Sequence, residues 1–493
     1  MDAAEVSPLL ALPSELIHNI ISHLTLSDLL TIGCVNHALH DHSLQDTLWE
    51  PFVQAQVPSP IPRPTNKTWR ELFKQHHPYW FLAKKKIWFA DIAHTGKLLV
   101  ARYDHRINAI EAYTVVAERR QPTFQTWDYN PDAIIHTFNP RIQLDLNVPV
   151  IRLDAEAYEN ASRDSGQRLQ TEILMSVYSG APRASAGLFS KLMLTRPWPT
   201  AITTAATPVW PPLTLPSLER TRNDAPPSGF RQPSQKPAVL DQLSTSTFRI
   251  RKWVEFSSRP QGVSMRIGED VSTWATLPEE FYTPTPKKPW QGIWCGDYAG
   301  HGCEFLAIMQ PDDPKPLPER AEWALRARER EGSVSSAGSW STAPDAALSG
   351  DEDEPETADD LEDSVATLQE AFHETEAGSP AEPMETGEDE SIYSGRIEAV
   401  KLTGDPNIPR GEYTFIAPDI GPNGLLRVAT EDIFKGARIV KSVGHIAARG
   451  FRDDNYMTSQ LILISHDRLA QYWETFGHVS FYQRVDIDAF TRV

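Results

Sequence analysis

Residues 290–310 read WQGIWCGDYAGHGCEFLAIMQ, a stretch that predicts two β-strands joined at a glycine-rich corner. Trp290 and Trp294 stand four residues apart, so both side chains lie on the same face of the first strand. Similar short runs rich in Val, Ile, Leu and Tyr occur between residues 87 and 194, at 247–256 and after residue 396. Short strands separated by turn residues, with no alternating helices, predict a mainly antiparallel barrel or sandwich.

The segment 332–395 interrupts this strand pattern. It holds 18 acidic residues and no Lys or Arg, and it has too few apolar residues to order itself. We therefore predict a long disordered acidic insertion between neighbouring strands, which is tolerated because loop-closure entropy grows only logarithmically with length. The whole chain has a net charge of −19, but without this segment 48 acidic residues face 47 basic ones. The folded part thus has no overall preference for nucleic acid or an anionic membrane.

The remaining composition argues against several classes of protein. A chain of 493 residues is long enough for two or three domains. The odd number of cysteines (Cys34, Cys295 and Cys303) and the lack of a Cys-x-x-Cys pair indicate reduced thiols in a cytoplasmic or nuclear protein, without a disulfide framework or zinc ribbon. No apolar run approaches the roughly 18 residues of a membrane span. Motifs for nucleophilic catalysis, phosphate binding or zinc binding do not occur, so we expect no enzymatic activity, cofactor or metal.

The N-terminal stretch 12–30, LPSELIHNIISHLTLSDLL, is predicted to form helices. Apolar residues at three- and four-residue steps give the first helix one apolar stripe, formed by Leu16, Ile17, Ile20, Ile21 and Leu24. A Thr-x-x-Asp capping pattern at Thr25 begins a second helix, and a third is predicted over Asn36–His42. A forty-residue unit cannot bury a stripe of this size, so we expect a partner protein to cover it. The alternative is that these helices pack on the β domain of the same chain.

The segment also resembles an F-box. The resemblance rests on a Leu-Pro opening, an apolar first helix, the turn Ser27-Asp28-Leu29-Leu30, a following Val and a closing Leu-Trp pair. It implies a three-helix module that docks on the adaptor Skp1 and thereby joins a cullin–RING ubiquitin ligase. The Skp1-binding residues that it implies are Leu12, Pro13, Leu16, Ile20, Leu24, Leu29, Leu30, Val35, Leu48 and Trp49. Asn36-His37-Ala38-Leu39 departs from the basic run of many members, which removes positive charge from one face.

Other parts of the chain resemble the F-box only protein thirty-one-like substrate receptors. The strings that carry this resemblance are HHPYWFLAKKKIWFADI, WQGIWCGDYAGHGCEF, GHIAARGF and LILISHDRLAQYW. It implies a C-terminal β-barrel that holds a client protein. The stretch 290–304 is the best candidate surface, because its glycines permit close approach and its aromatic side chains offer flat contact area. The candidate client-binding residues are Trp290, Trp294, Tyr298, His301 and Glu304. The alternative is that the alternating aromatic residues are core.

These observations predict an α+β chain with five segments. They are an F-box (8–56), a Pro-rich connector with a helical linker (57–92), the first part of a β-rich substrate domain (87–331, with a Pro-rich connector at 196–246), the acidic insert (332–395) and the second part of the β domain (396–493). The predicted function is the substrate-recognition subunit of an SCF-type E3 ubiquitin ligase. A Skp1-bound scaffold outside any ligase and a β-barrel small-molecule binder remain as alternatives.

Overall fold

The computed structural model describes residues 8–90, 96–121, 123–133, 135–164, 167–175, 186–197, 215–217, 232–258, 263–298, 302–332 and 390–493. Most of the predicted acidic insert, much of the connector 196–246 and His301 lie outside these residues. None of the helices within them is long and apolar enough to span a membrane.

The N-terminal region folds into four helices instead of the expected three. The helices of the described residues are α1 (Ser14–Ser22), α2 (Leu26–Ile32), α3 (His37–Ser43), α4 (Asp46–Gln54), α5 (Trp69–His76), α6 (Phe81–Lys84), α7 (Ala155–Asp164), α8 (Glu319–Gly332) and α9 (Ile487–Thr491). The predicted cap of α2 is confirmed, since Thr25 Oγ1 accepts a hydrogen bond from the Asp28 amide. The fourth helix arises because the Leu48-Trp49 pair lies inside α4 and not in a closing turn.

The inner faces of the N-terminal helices belong to a core that continues into the rest of the chain. Ile17 and Ile21 of α1 are buried in it, and so is Trp49 of α4. The Trp49 ring lies 5.8 Å from that of Phe73 in α5. The Pro-rich connector between α4 and α5 is also fixed, because the Gln54 amide exchanges two hydrogen bonds with the Ile61 backbone. These helices therefore pack on their own chain with one face only.

The first β region is a nine-stranded antiparallel sheet. Among the described residues up to 275, the strands are β1 (Ile87–Ala90), β2 (Lys97–Asp104), β3 (Ala109–Glu118), β4 (Phe124–Gln125), β5 (Ile135–His136), β6 (Arg141–Leu144), β7 (Ile151–Leu153), β8 (Ile173–Leu174), β9 (Ala186–Leu194), β10 (Thr247–Ser258) and β11 (Val263–Ala275). The order in the sheet is β6-β3-β2-β1-β11-β10-β9-β8, with β7 also paired to β3, while β4 and β5 form a separate ribbon.

The second β region closes into a barrel. Its strands are β12 (Gly292–Asp297), β13 (Cys303–Met309), β14 (Ile397–Lys401), β15 (Tyr413–Ala417), β16 (Leu425–Val428), β17 (Arg438–Ala448), β18 (Arg452–Leu463), β19 (Arg468–Trp473) and β20 (His478–Arg484). Eight of them follow the order β15-β14-β13-β12-β20-β19-β18-β17, and a pairing of β15 with β17 closes the ring. Because β13 pairs directly with β14, the prediction that the sheet resumes after the acidic insert is confirmed.

Alternation along β1 and β2 places the first sheet between the helices and the barrel. Trp88 and Leu99 face the core that contains the N-terminal helices. Phe89 and Val100, each one residue further along, face a second core shared with the outer surface of the barrel. Successive side chains of a strand point to opposite faces, so one sheet contributes to both cores. The result is three layers: helices, sheet and barrel.

The segment that follows β3 also packs against the barrel. Its Trp127 is fully buried, and the indole N–H donates to Glu431 Oε1 at 2.8 Å. The ring packs edge-on against Phe434 and Tyr472, at centroid distances of 5.5 and 5.0 Å. Trp127 is therefore a structural contact between the two β regions.

We predict that Trp127→Ala lowers the free energy of unfolding by about 3–5 kcal/mol, because it removes a large buried ring and leaves a cavity. Tyr129→Ala is the matched control, since this nearby aromatic side chain is exposed. Its ring touches the Trp127 ring at a centroid distance of 5.3 Å and lies under Arg427, contacts worth about 0.5–1.5 kcal/mol each. Urea unfolding of both full-length variants measures the difference. Equal losses for the two variants would contradict the role of Trp127.

Candidate functional site

The barrel interior has an apolar end and a polar end. Buried side chains such as Trp294, Leu306 and Phe415 fill the apolar end. At the polar end lies an open cavity of about 480 Å³. Its lining residues are Tyr298, Lys401, Asp405, Asn407, Ile408, Thr414, His445, Ile446, Ala447, Ala448, Asp453, Trp473, Phe476, His478 and Ser480. The size and the mixture of aromatic, hydroxyl and charged groups are typical of a binding site.

Lys401, the last residue of β14, lies buried in the wall of the cavity. Its ammonium group is 2.8 Å from Glu304 Oε2 and also contacts the Asp405 carboxylate. It sits 4.4 Å from the centre of the Tyr298 ring, whose hydroxyl is 2.7 Å from Thr414 Oγ1. A buried ammonium requires such partners, because its desolvation is otherwise prohibitive.

The two carboxylates around Lys401 are not equivalent. Burial raises the pKa of Glu304 to about 8, and the nearby Asp405 carboxylate adds to this shift, while the Lys401 ammonium opposes it. Burial also acts on Asp405, but Lys401 and the amides of Asn407 and Ile408 outweigh it and lower the pKa of Asp405. Although burial opposes it, the two carboxylates raise the pKa of Lys401. At neutral pH the Lys401–Asp405 pair is therefore charged, and Glu304 mostly holds its proton.

His445 on β17 lies across the cavity in a fixed orientation. Its Nδ1 is 2.9 Å from the Tyr413 carbonyl and its Nε2 is 3.2 Å from Asp454 Oδ2. The ring stacks on Tyr456 with centroids 4.4 Å apart. Burial lowers the pKa of His445 despite these contacts, so the neutral imidazole is the dominant form at pH 7.

Trp473 and Phe476 give the cavity an apolar side. The Trp473 indole donates to Ser480 Oγ at 3.2 Å, which holds the ring in place. A Cβ atom on Gly444 would lie 2.2 Å from this ring, so the close approach requires glycine. Phe476, in the turn after β19, remains 59% exposed at the rim. A bound segment could therefore meet an apolar rim first and polar groups further inside.

The structure separates the five candidate client-binding residues. Tyr298 lines the cavity, and Glu304 lies behind the lining as a partner of Lys401. Trp290 and Trp294 are fully buried in the apolar end of the barrel, where their indoles donate to the Ser465 and Trp290 carbonyls, so the expectation that they face a client is corrected. His301 lies outside the described residues.

Sequence reasoning missed the cavity residues that come from later strands. Lys401 carried a usable signal, because a Lys inside the apolar run IEAVKL predicts either a strand edge or a buried ion pair. His445 and Trp473 lie within the strings GHIAARGF and LAQYW, but no local pattern showed that they face Tyr298. Barrel closure alone brings them together.

The N-terminal helices expose a second candidate surface. Its residues, here called the N-terminal apolar surface, are Leu12, Leu16, Ile20, Leu30 and Val35, each between 37% and 65% exposed. The implied Skp1-binding set is corrected in part, because Leu29, Leu48 and Trp49 are buried in the core and Leu24 packs against it. Pro13 is exposed at the start of α1.

Two known protein families match this chain, one in the region of each candidate surface. The family described as "F-box-like" matches residues 9–54, and the family described as "Cyclin D1 binding domain" matches residues 274–489. No curated protein sequence matches the chain. The N-terminus therefore carries an F-box-like domain, and the second match spans the barrel strands and the cavity.

We predict that Glu304→Gln changes how stability depends on pH. A folded-state pKa near 8, above the ordinary value of 4.5, means that the folded chain binds more protons between these values, so stability falls as pH rises. From pH 6 to pH 8 the wild type should lose on the order of 1–2 kcal/mol relative to the variant. Urea unfolding at both pH values measures this loss.

Glu431→Gln is the matched control for this experiment. Burial opposes the shift, but hydrogen bonds from Arg427 and the Trp127 indole lower the pKa of Glu431 to about 2. Both its folded and unfolded pKa values lie below 6, so its replacement should shift stability equally at pH 6 and pH 8. A Glu304→Gln variant that also shifts stability equally would contradict the assignment of a buried, protonated Glu304.

Proposed function

We propose that this chain is the substrate-recognition subunit of an SCF-type E3 ubiquitin ligase. The observation that supports the proposal is the presence of two separate candidate surfaces on one chain. An F-box-like domain exposes the N-terminal apolar surface, and a barrel matched by a cyclin-binding family carries an open cavity. An adaptor needs these two surfaces: one for the ligase and one for the client.

The N-terminal apolar surface is the proposed Skp1 contact. Leu16 and Ile20 lie one turn apart on α1 and are about half exposed, while Ile17 and Ile21 face the core. Covering each exposed side chain would contribute on the order of 1 kcal/mol. Because the chain's own core uses only the opposite face of α1, the exposed face is available to a partner protein.

The barrel cavity is the proposed client site. The matching family is described by its binding of cyclin D1, so cyclin D1 is the first client to test. We expect a client segment to place apolar side chains against Phe476 and Trp473 and polar groups near Tyr298, Thr414 and His445. The proposed receptor is a non-catalytic adaptor that acts by tethering, which raises the effective concentration of client lysines near the ubiquitin-charged enzyme.

Two alternatives lead to different observations. A Skp1-bound scaffold outside any ligase would co-purify with Skp1 but not with cullin, whereas the proposed subunit co-purifies with both. A small-molecule binder is favoured by the cavity volume of about 480 Å³ alone. A small-molecule binder would still bind its ligand after residues 1–56 are deleted.

We predict that Leu16→Asp combined with Ile20→Asp abolishes co-purification of Skp1 with the full chain. An interface that buried two unpaired carboxylates would lose several kcal/mol. Leu240→Asp is the matched control, because Leu240 and Leu16 are both 52% exposed but Leu240 belongs to the short 3-10 helix Leu240–Gln242, outside the F-box-like domain. Unfolding midpoints of all variants should stay near that of the wild type. Skp1 retained by the double variant, or lost equally by the control, would contradict the proposed contact.

We predict that Phe476→Ala weakens capture of cyclin D1 by the full chain while the melting temperature stays unchanged. The exposed ring packs on few neighbours, so its loss affects a bound client more than the fold. Phe281→Ala, at another exposed Phe outside the cavity, is the control. Quantitative pulldown gives the client affinity, and a client bound equally well by both variants would count against the cavity as its site.

A further inference from the structure

Two of the three cysteines lie together on the outer face of the barrel. In the register of β12 with β13, Cys295 pairs with Phe305 and Asp297 pairs with Cys303. Cys295 and Cys303 are therefore diagonal neighbours on one face. Cys295 belongs to the core shared with the first sheet, and Cys303 packs against that core. Their sequence separation gave no sign of this contact.

The two thiols differ in exposure. Cys295 is fully buried, whereas Cys303 is partly exposed. Cys303 lines a cleft of about 400 Å³ between the first sheet and the barrel, bordered by residues 96–98, 114–117 and 403–406. A molecule a few atoms in size can therefore reach Cys303, while Cys295 lies behind it.

The Cys295 thiol and Arg119 favour the thiolate form of Cys303. The carboxylate of Asp297, directly opposite, is already paired with Arg119 and with His136 Nε2 at 2.6 Å. A hydrogen bond from the Cys295 thiol, together with the nearby Arg119 charge, lowers the pKa of Cys303 although burial opposes it. The same hydrogen bond and burial raise the pKa of Cys295, which therefore keeps its proton.

We propose that Cys303 is a modification site for hydrogen peroxide and that Cys295 is its resolving thiol. The Cys303 thiolate attacks one peroxide oxygen, the O–O bond breaks, and hydroxide leaves and takes up a proton to become water. The sulfur is oxidised by two electrons to a sulfenic acid, and the peroxide is reduced. The Cys295 thiol then attacks this sulfur and passes its proton to the departing hydroxide, so that an S–S bond forms, the S–O bond breaks, and a second water is released.

This inference does not depend on the proposed ligase function. It concerns the outer face of the barrel, whereas the client cavity lies inside. Cys34 serves as an internal control, because its exposed thiol in the N-terminal helices donates only to the Leu30 carbonyl at 3.4 Å.

The test is peroxide treatment of the full reduced chain, followed by alkylation of the remaining thiols and peptide mass spectrometry. We expect a peptide pair linked through Cys295 and Cys303, a loss of alkylation at both residues, and continued alkylation at Cys34. Cys303 that remains alkylated, Cys303 joined to Cys34, or Cys303 carried to a sulfinic acid beside a free Cys295 would each overturn the proposal.

Single variants separate the two roles. Cys295→Ser should stop the reaction at the sulfenic acid, which a 1,3-dione traps, while Cys303→Ser should leave Cys295 reduced. Arg119→Gln should slow oxidation of Cys303 several-fold, and Arg120→Gln, at the adjacent exposed arginine, should not. The two arginine variants test the role of Cys303 independently, in case the Cys295→Ser chain does not fold. Oxidation of Cys295 in the Cys303→Ser chain, or equal rates in the two arginine variants, would overturn the assigned roles.

Discussion

The pairing of β15 with β17, at Phe415 with Gly444 and Ile416 with Val443, closes the C-terminal sheet into a barrel. An unclosed sheet would leave both strands with free backbone donors and acceptors at its edges. Closure also requires that Gly444 has no side chain, because the Trp473 ring occupies that space. Closure brings residues of separate strands, among them Lys401, His445 and Trp473, around one cavity.

The buried polar side chains at the polar end of the barrel must form hydrogen bonds and ion pairs with one another, because they are shielded from bulk water. Lys401 illustrates the requirement, since an isolated ammonium would not remain charged in this position. Two carboxylates surround it, and the environment gives them opposite pKa shifts, so one of them holds a proton. The surrounding hydroxyl and amide groups continue the pattern, with Tyr482 donating to Gln471 and Gln471 donating to Ser459. The polar groups of the cavity are thus held in place before any ligand binds, which would lower the ordering cost of binding the proposed client.

The sequence could predict the strands, the antiparallel barrel class and the interruption by the acidic segment, because each depends on local composition and period. It could not predict which side of a strand becomes the inside of a closed ring. The four-residue spacing of Trp290 and Trp294 correctly placed both on one face, yet that face fills the apolar end of the barrel. The same limit applies to the F-box pattern: Leu16 is exposed while Leu29 and Trp49 are core, since one motif combines positions for folding with positions for docking.

The first sheet lies between the two candidate surfaces. One of its faces shares a core with the N-terminal helices, and the other shares a core with the outside of the barrel. Trp127, which lies between β4 and β5, adds a buried contact with Tyr472 of β19. Close-packed cores resist deformation, so a displacement at one surface is carried to the other instead of being absorbed between them. For the proposed adaptor role this matters, because the effective concentration of a client lysine falls when the linkage can bend away from the productive separation.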